Sequence, residues 1–242
     1  MKTSNKILLG LGVAPFILIF IMLLSLKNVL NKEPVVVQDA DRSNYHTEKY
    51  DLGSFEEINA EGVWEIVLSG GDNFKIELDT PPDSLKYTSV TKQNNKLFLF
   101  SDSKHFNLFK KPRLNITLPS ISVLDLKQGS YNVDISNLKL SRLNINIVGM
   151  ANITGTGSSV EELYINGNGI VSTDLAKMPV TNAYFNFNGL YRIMINMNGG
   201  EITGLLNGPG KLTVEGEISK NTVKTDGSYT IPHDYKYNRQ TP

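Results

Sequence analysis

Apolar and polar residues alternate through the second half of this chain, and the alternation is locked in phase to a recurring glycine. Gly129, Gly149, Gly169 and Gly189 stand 20 residues apart, and Gly208 and Gly227 follow at steps of 19. Two and four positions before the glycine come Ile147 and Ile145, Gly167 and Ile165, Phe187 and Phe185, and Leu206 and Gly204. Four positions after it come Val133, Ile153, Thr173, Ile193, Leu212 and Ile231. Period-two alternation on both sides of the glycine predicts a half-buried strand, a glycine corner and a second half-buried strand. Leu140, Val160 and Val180, then Leu143, Leu163 and Ala183, carry the chain into the next unit.

Self-similarity at this period is the mark of a stacked repeat, in which each unit buries its inward side chains only against its neighbours. The sequence therefore predicts an all-β fold, a β-solenoid of about 20-residue coils that rises roughly 25 to 30 Å over six coils at the ~4.8 Å strand spacing. Glycine suits the corner through its freedom at positive φ and the close stacking it permits. Leu124 and Leu126 break the phase before Gly129, which predicts a bulge or the seam where the repeat starts. Gly155 and Thr173 fall on inward positions.

The part from Phe55 to Leu118 has strand character without the strict repeat. Trp64–Leu68 and Phe74–Leu78 flank Gly70-Gly71-Asp72-Asn73, and Tyr87–Thr91 and Leu97–Phe100 flank a loop with Asn94-Asn95, predicting two hairpins. Gly62 stands four residues before Ile66, as in the later units. This part reads as irregular first coils or as a small antiparallel cap on the end of the stack.

Ile7–Leu26 is an uncharged stretch of 20 residues, enough to span a ~30 Å hydrocarbon core. No small-x-small cleavage site follows it, so residues 1–32 read as an uncleaved signal-anchor with its helix at 7–26. Lys2 and Lys6 balance Lys27 and Lys32, and the terminal amine sets the N-terminus inside, with the remainder extracytoplasmic. Residues 33–52 are polar and aperiodic and read as a flexible tether; 53–232 form the repeat domain, and 233–242 a polar C-terminal tail.

The opening Phe55-Glu56-Glu57-Ile58-Asn59-Ala60-Glu61-Gly62-Val63, the strand Leu114-Asn115-Ile116-Thr117-Leu118-Pro119, the unit Leu124-Asp125-Leu126-Lys127-Gln128-Gly129-Ser130 and the later Asn-Gly corners resemble the head GIN domain family over residues 53–232. The resemblance implies a solenoid-like adhesin domain of a bacterial cell envelope, periplasmic or at the surface, behind a signal or membrane anchor. It supplies no catalytic residues. Where members keep Gly-Ser-Gly at the corner, this chain has Asn168-Gly169 and Asn188-Gly189.

The chain has no cysteine, which removes disulfides and thiolate metal sites. Beyond the anchor, 20 basic face 24 acidic side chains, and a net charge of −4 argues against nucleic acid. His46, His105 and His233 lack a second ligand at metal spacing, and Ser130, Ser158 and Ser159 lack a histidine partner, so no cofactor, metal or catalytic residue is expected. Asp134 and Asp174 share a repeat position two coils apart, which reads as solvated charge on an outer face rather than a glycosidase pair.

Asn146, Asn166 and Asn186, three before the glycine, and Tyr164 and Tyr184, five before it, all point outward by the alternation. Stacked amides and rings support neighbouring strands, and the same rows make a binding platform for a glycan or an envelope protein. Tyr131, Tyr191 and Tyr229 read as a second outward set. The sequence thus points to a non-enzymatic, membrane-tethered binding or adhesion domain. The alternatives are a β-helix carbohydrate-active enzyme and a self-associating, homo-oligomeric structural element of the envelope.

Overall fold

The computed structural model describes residues 42, 44–82, 84–106 and 110–230. The expected anchor at 7–26 and the tail at 233–242 lie outside the described residues, as does His233. Among the described residues no helix is long and apolar enough to cross a membrane.

The fold is all-β. Its strands are β1 (His46–Tyr50), β2 (Glu57–Gly70), β3 (Lys75–Thr80), β4 (Thr88–Gln93), β5 (Lys96–Ser101), β6 (Arg113–Leu118), β7 (Val123–Ser136), β8 (Lys139–Thr156), β9 (Ser159–Asn198), β10 (Glu201–Asn207), β11 (Gly210–Glu217), β12 (Lys220–Thr225) and β13 (Ser228–Thr230). One sheet of 13 strands joins them. Its main path runs β1-β3-β6-β2-β7-β8-β9-β10-β12, with β11 and β13 extending the other end of the later units.

From β2 onward neighbouring strands are parallel, as the repeat predicts. Asn144 pairs with Tyr164 and Ala151 with Val171, and Leu212 pairs with Ile193. Each unit thus lies on its predecessor one period away, and identical phases bury identical positions. Ile145, Ile147, Ile165, Phe185, Phe187, Ile153, Ile193 and Leu212 are all 3% exposed or less, inside one continuous apolar core. The space a side chain at Gly155 would take is filled by Met178 and Leu175, whose Sδ and Cδ2 atoms come within 2.7 and 3.0 Å of that Cβ position.

Thr173 sits in the same buried row, between the isoleucines at 153 and 193, and its Oγ1 has no hydrogen-bond partner. An unpaired buried hydroxyl is a net destabilisation that an isosteric methyl removes. Thr173→Val is expected to raise unfolding free energy by about 1 kcal/mol in a urea titration; a loss of stability would show that the hydroxyl is bonded in solution.

The corner glycines lie in the strands more than in turns, which refines the sequence reading. Gly129, Gly149, Gly169 and Gly189 are all within β7, β8 and β9, and pairing runs through them. Gly149, Gly169, Gly189 and Gly208 have positive φ, whereas Gly129 and Gly227 do not. The shared requirement is close approach. A Cβ on Gly129 would fall 1.9 Å from the carbonyl oxygen of Gly62, which places Gly62 at the foot of the same ladder. Gly227 leaves the ladder: its neighbour is Gly210, because β13 pairs with β11 two residues out of the earlier register.

The first part realises both sequence readings of it. On one edge β2 pairs with β7; on the other it takes β5 along its first half and β6 along its second, both parallel. β5 and β6 thus form a further layer of the stack, although they come later in the chain. This layer is closed by antiparallel strands, β4 on β5, β3 on β6 and β1 on β3. Short edge strands of this kind block end-to-end pairing. The Asn94-Asn95 hairpin is present, with Asn94 at φ 53°. The hairpin expected between Trp64–Leu68 and Phe74–Leu78 is not, since β6 inserts between β2 and β3. The ordered sheet also begins earlier than the boundary at 53, because His46–Tyr50 of the expected tether pairs with β3.

The phase break before Gly129 is a bulge. Ala60 to Gly62 in β2 and Ile147 to Gly149 in β8 each span one intervening residue, whereas Leu126 to Gly129 in β7 spans Lys127 and Gln128. Tyr131 holds it from inside. Its Oη lies 2.8 Å from the Ala60 carbonyl and 2.7 Å from the Lys127 carbonyl, sharing one proton between them. Burial, aided by Glu61 and Asp125, pushes this phenol above its ordinary pKa, so it remains a neutral donor.

Candidate functional site

The expected second tyrosine set is not on the surface. Tyr131 is 1% and Tyr191 4% exposed, and Tyr229 packs against the core. They stand two residues from inward Val133 and Ile193, and period-two geometry gives both members of each pair the same face.

The first set is where the alternation places it. Tyr164 and Tyr184 occupy the same position in successive turns of β9, half-buried, with ring centroids 4.5 Å apart and planes at 12°. The guanidinium of Arg142 lies 5.5 Å from the Tyr164 centroid and binds Glu162 Oε2 through Nε and Nη2 at 2.9 and 2.6 Å. Tyr164 Oη donates to the same carboxylate oxygen at 3.3 Å. Partial desolvation first, then the Glu162 charge, raises the phenol pKa and keeps it protonated. The chemistry of the pair is therefore that of a fixed aromatic step with a neutral hydroxyl edge. Arg142 and Glu162 were not singled out in the sequence, although their registration one unit apart and two residues before the tyrosine row was there to read.

Beside the rings runs the amide row. Asn166 Nδ2 donates to Asn146 Oδ1 at 3.3 Å, and Asn186 is exposed on the next rung. Register extends this row beyond the repeat, since Asn146 pairs with Asp125 and Asp125 position-for-position with Asn59. The expected binding residues Tyr164, Tyr184, Asn146, Asn166 and Asn186 thus form one outward patch.

The other candidates serve local structure. Asp134 Oδ1 accepts from Thr154 at 3.1 Å, and Asp174 Oδ1 from the Ala176 N–H at 3.2 Å, with Thr154 registered between them. Ser158 Oγ accepts from Leu138 N–H at 3.0 Å and lies 3.3 Å from the Ile135 carbonyl. His105 stacks on Tyr87 at 3.5 Å with Nδ1 3.0 Å from Asp102. His46 is part of β1. Among the described residues no group of three or more His, Asp or Glu side chains is arranged to hold a metal ion.

The family model described as "Putative auto-transporter adhesin, head GIN domain" matches residues 54–232. No curated protein matches the chain. Among solved structures, one described as a putative adhesin from Bacteroides fragilis aligns with 20% identity and a TM-score of 0.56, covering 77% of this chain and 95% of that one. One described as a putative adhesin from Parabacteroides merdae aligns with 15% identity and a TM-score of 0.38, covering 78% of this chain and 97% of that one.

Proposed function

The chain belongs to the head GIN domain family, and from that premise we propose that it is a non-catalytic binding head of a bacterial cell envelope. The head is a β-solenoid displayed outside the cytoplasmic membrane, anchored by residues 7–26, and it engages its ligand through the outward tyrosine and asparagine rows. The observation that carries this reading is the stacked Tyr164–Tyr184 pair beside the Asn146–Asn166 amide bond. Flat rings next to amide donors and acceptors recognise ligands that have an apolar face and a polar rim. The adhesin name of the Bacteroides fragilis fold neighbour is in keeping with it. The Asp134 and Asp174 contacts favour binding over hydrolysis, since Asp134 accepts from Thr154 of the next turn and Asp174 from the Ala176 N–H of its own.

Incubation of the full chain in detergent with an array of glycans and envelope polymers, followed by product analysis, tests it. Binding with intact polymer is the expected result. Cleavage would overturn the non-catalytic reading, and silence across the array would move the ligand to a protein or to another copy of the chain.

A further inference from the structure

A cleft opens on the same outer face, at the capped end of the stack. Its cavity volume is about 120 Å³, below the ~300 to 1,000 Å³ of clefts that enclose a whole ligand, so it has room for a single small moiety of a longer one. Its walls come from three strands and the bulge: Asn59 and Glu61 from β2, Ser89 and Thr91 from β4, Phe98 and Phe100 from β5, and Lys127 from β7. Phe100 is 47% exposed, a large apolar side chain left open to solvent on this face.

Two further features single it out. The bulge in β7 is what delivers Lys127 here, as the extra residue breaks register between Leu126 and Gly129, and bulges recur where a strand re-aims a side chain beside a site. Tyr131 fixes that bulge through the Lys127 carbonyl and through that of Ala60, which is itself part of the cleft lining. Secondly, Asn59 belongs to the outward row that runs through Asp125 to Asn146 and Asn166. The cleft is therefore about 15 Å, three strand spacings, along the stack from the tyrosine step.

Charge narrows the occupant. On this face Arg142 is paired with Glu162, Lys96 with Glu57 and Lys220 with Glu201. Within the cleft one carboxylate, Glu61, accompanies one ammonium, Lys127. With Asp125 on the row between the cleft and the tyrosine step, the charges nearly balance and lean acidic, which disfavours an anionic ligand; two phenyl rings ringed by two hydroxyls and an amide match a neutral pyranose, with C–H groups on its faces and hydroxyls around its rim.

On the reading that the tyrosine face binds ligand, we propose that this cleft is a second subsite for a sugar residue of a neutral glycan chain that lies along the stack. Phe100 stacks on the sugar, Asn59, Ser89 and Thr91 bond its hydroxyls, and Lys127 and Glu61 hold opposite edges. The chain spans from the tyrosine step to the cleft across the asparagine row.

The test is calorimetric titration of the full chain in detergent with cello- and chito-oligosaccharides, comparing disaccharide with hexasaccharide. In one of the two series the hexasaccharide is expected to bind about tenfold tighter. Phe100→Ala is expected to remove that gain and leave the disaccharide affinity in place; Phe100→Trp is expected to retain it, and Lys127→Ala to reduce it. Thermal melts monitor folding of each variant. A length-dependent gain unchanged in Phe100→Ala and Lys127→Ala would overturn the cleft subsite while leaving the tyrosine face standing. Failure of the wild-type chain to bind either series would overturn the neutral-glycan assignment, and the face would then stand or fall on tyrosine-dependent binding of another polymer.

Discussion

Gly169→Ala is expected to cost about 4 kcal/mol or more, enough to unfold most of the chain at a moderate urea concentration. Two effects add. The backbone at Gly169 has φ +126°, where an alanine is strained by about 1 to 3 kcal/mol. The new Cβ would also fall 2.0 Å from the carbonyl oxygen of Gly149, with that residue's C and N at 2.9 and 3.0 Å. All three are backbone atoms of the strand pairing with it, so no rotamer change relieves the overlap and the two turns must part by more than an ångström. Parting them weakens ladder hydrogen bonds and the rows of Ile147 and Val171 beneath them. Gly199→Ala is the control, with φ +83° but nothing within 4 Å of its Cβ, and is expected to lose only about 1 kcal/mol or a little more. Equal losses at the two sites would show that φ alone, and not stacking, demands glycine at the corner.

The ladder explains what could be read in the sequence. Parallel in-register stacking places residues one period apart in the same environment, so every phase repeats its chemistry, and the glycine, isoleucine, asparagine and tyrosine rows all appear as periodic letters. The bulge announced itself for the same reason, as Leu124 and Leu126 fell out of phase by one residue. Where the periodicity stops, inference stops with it. Nothing local tells that β6 separates β2 from β3, since that order is decided by which edge of β2 remains open after the chain has passed. Tyr131 and Tyr191 share the parity of inward Val133 and Ile193, but a phenol counts as inward only if its hydroxyl has a buried partner, which no local pattern shows: Tyr131 bonds two carbonyls and Tyr191 bonds Thr225. The exposed apolar row Met150, Ile170 and Leu190, one residue after the corner glycines, follows the same period. The cleft could not be read at all, because its walls come from β2, β4, β5 and β7 and their juxtaposition is tertiary.

Tyr164→Ala with Tyr184→Ala is expected to weaken ligand binding about a hundredfold in Kd and to leave the fold intact. Each half-buried ring that meets a ligand carries on the order of 1 to 2 kcal/mol, and the two rings form one step, so their removal compounds. Stability should fall far less than binding. The rings lie on the outer face, above buried Ile165 and Phe185, and their removal leaves those residues in place. What the fold loses is one ring pair and the Arg142 contact over Tyr164, in a half-exposed setting worth about 1 kcal/mol. Arg142 keeps both hydrogen bonds to Glu162 Oε2 without the ring. The single variants grade the interpretation: Tyr184→Ala alone removes the step while keeping the Glu162-bonded hydroxyl of Tyr164, so a partial loss there separates ring stacking from hydroxyl recognition. A melting temperature within a few degrees of wild type together with undiminished binding would reduce the tyrosine row to a strand-supporting stack, with the ligand site elsewhere on the molecule.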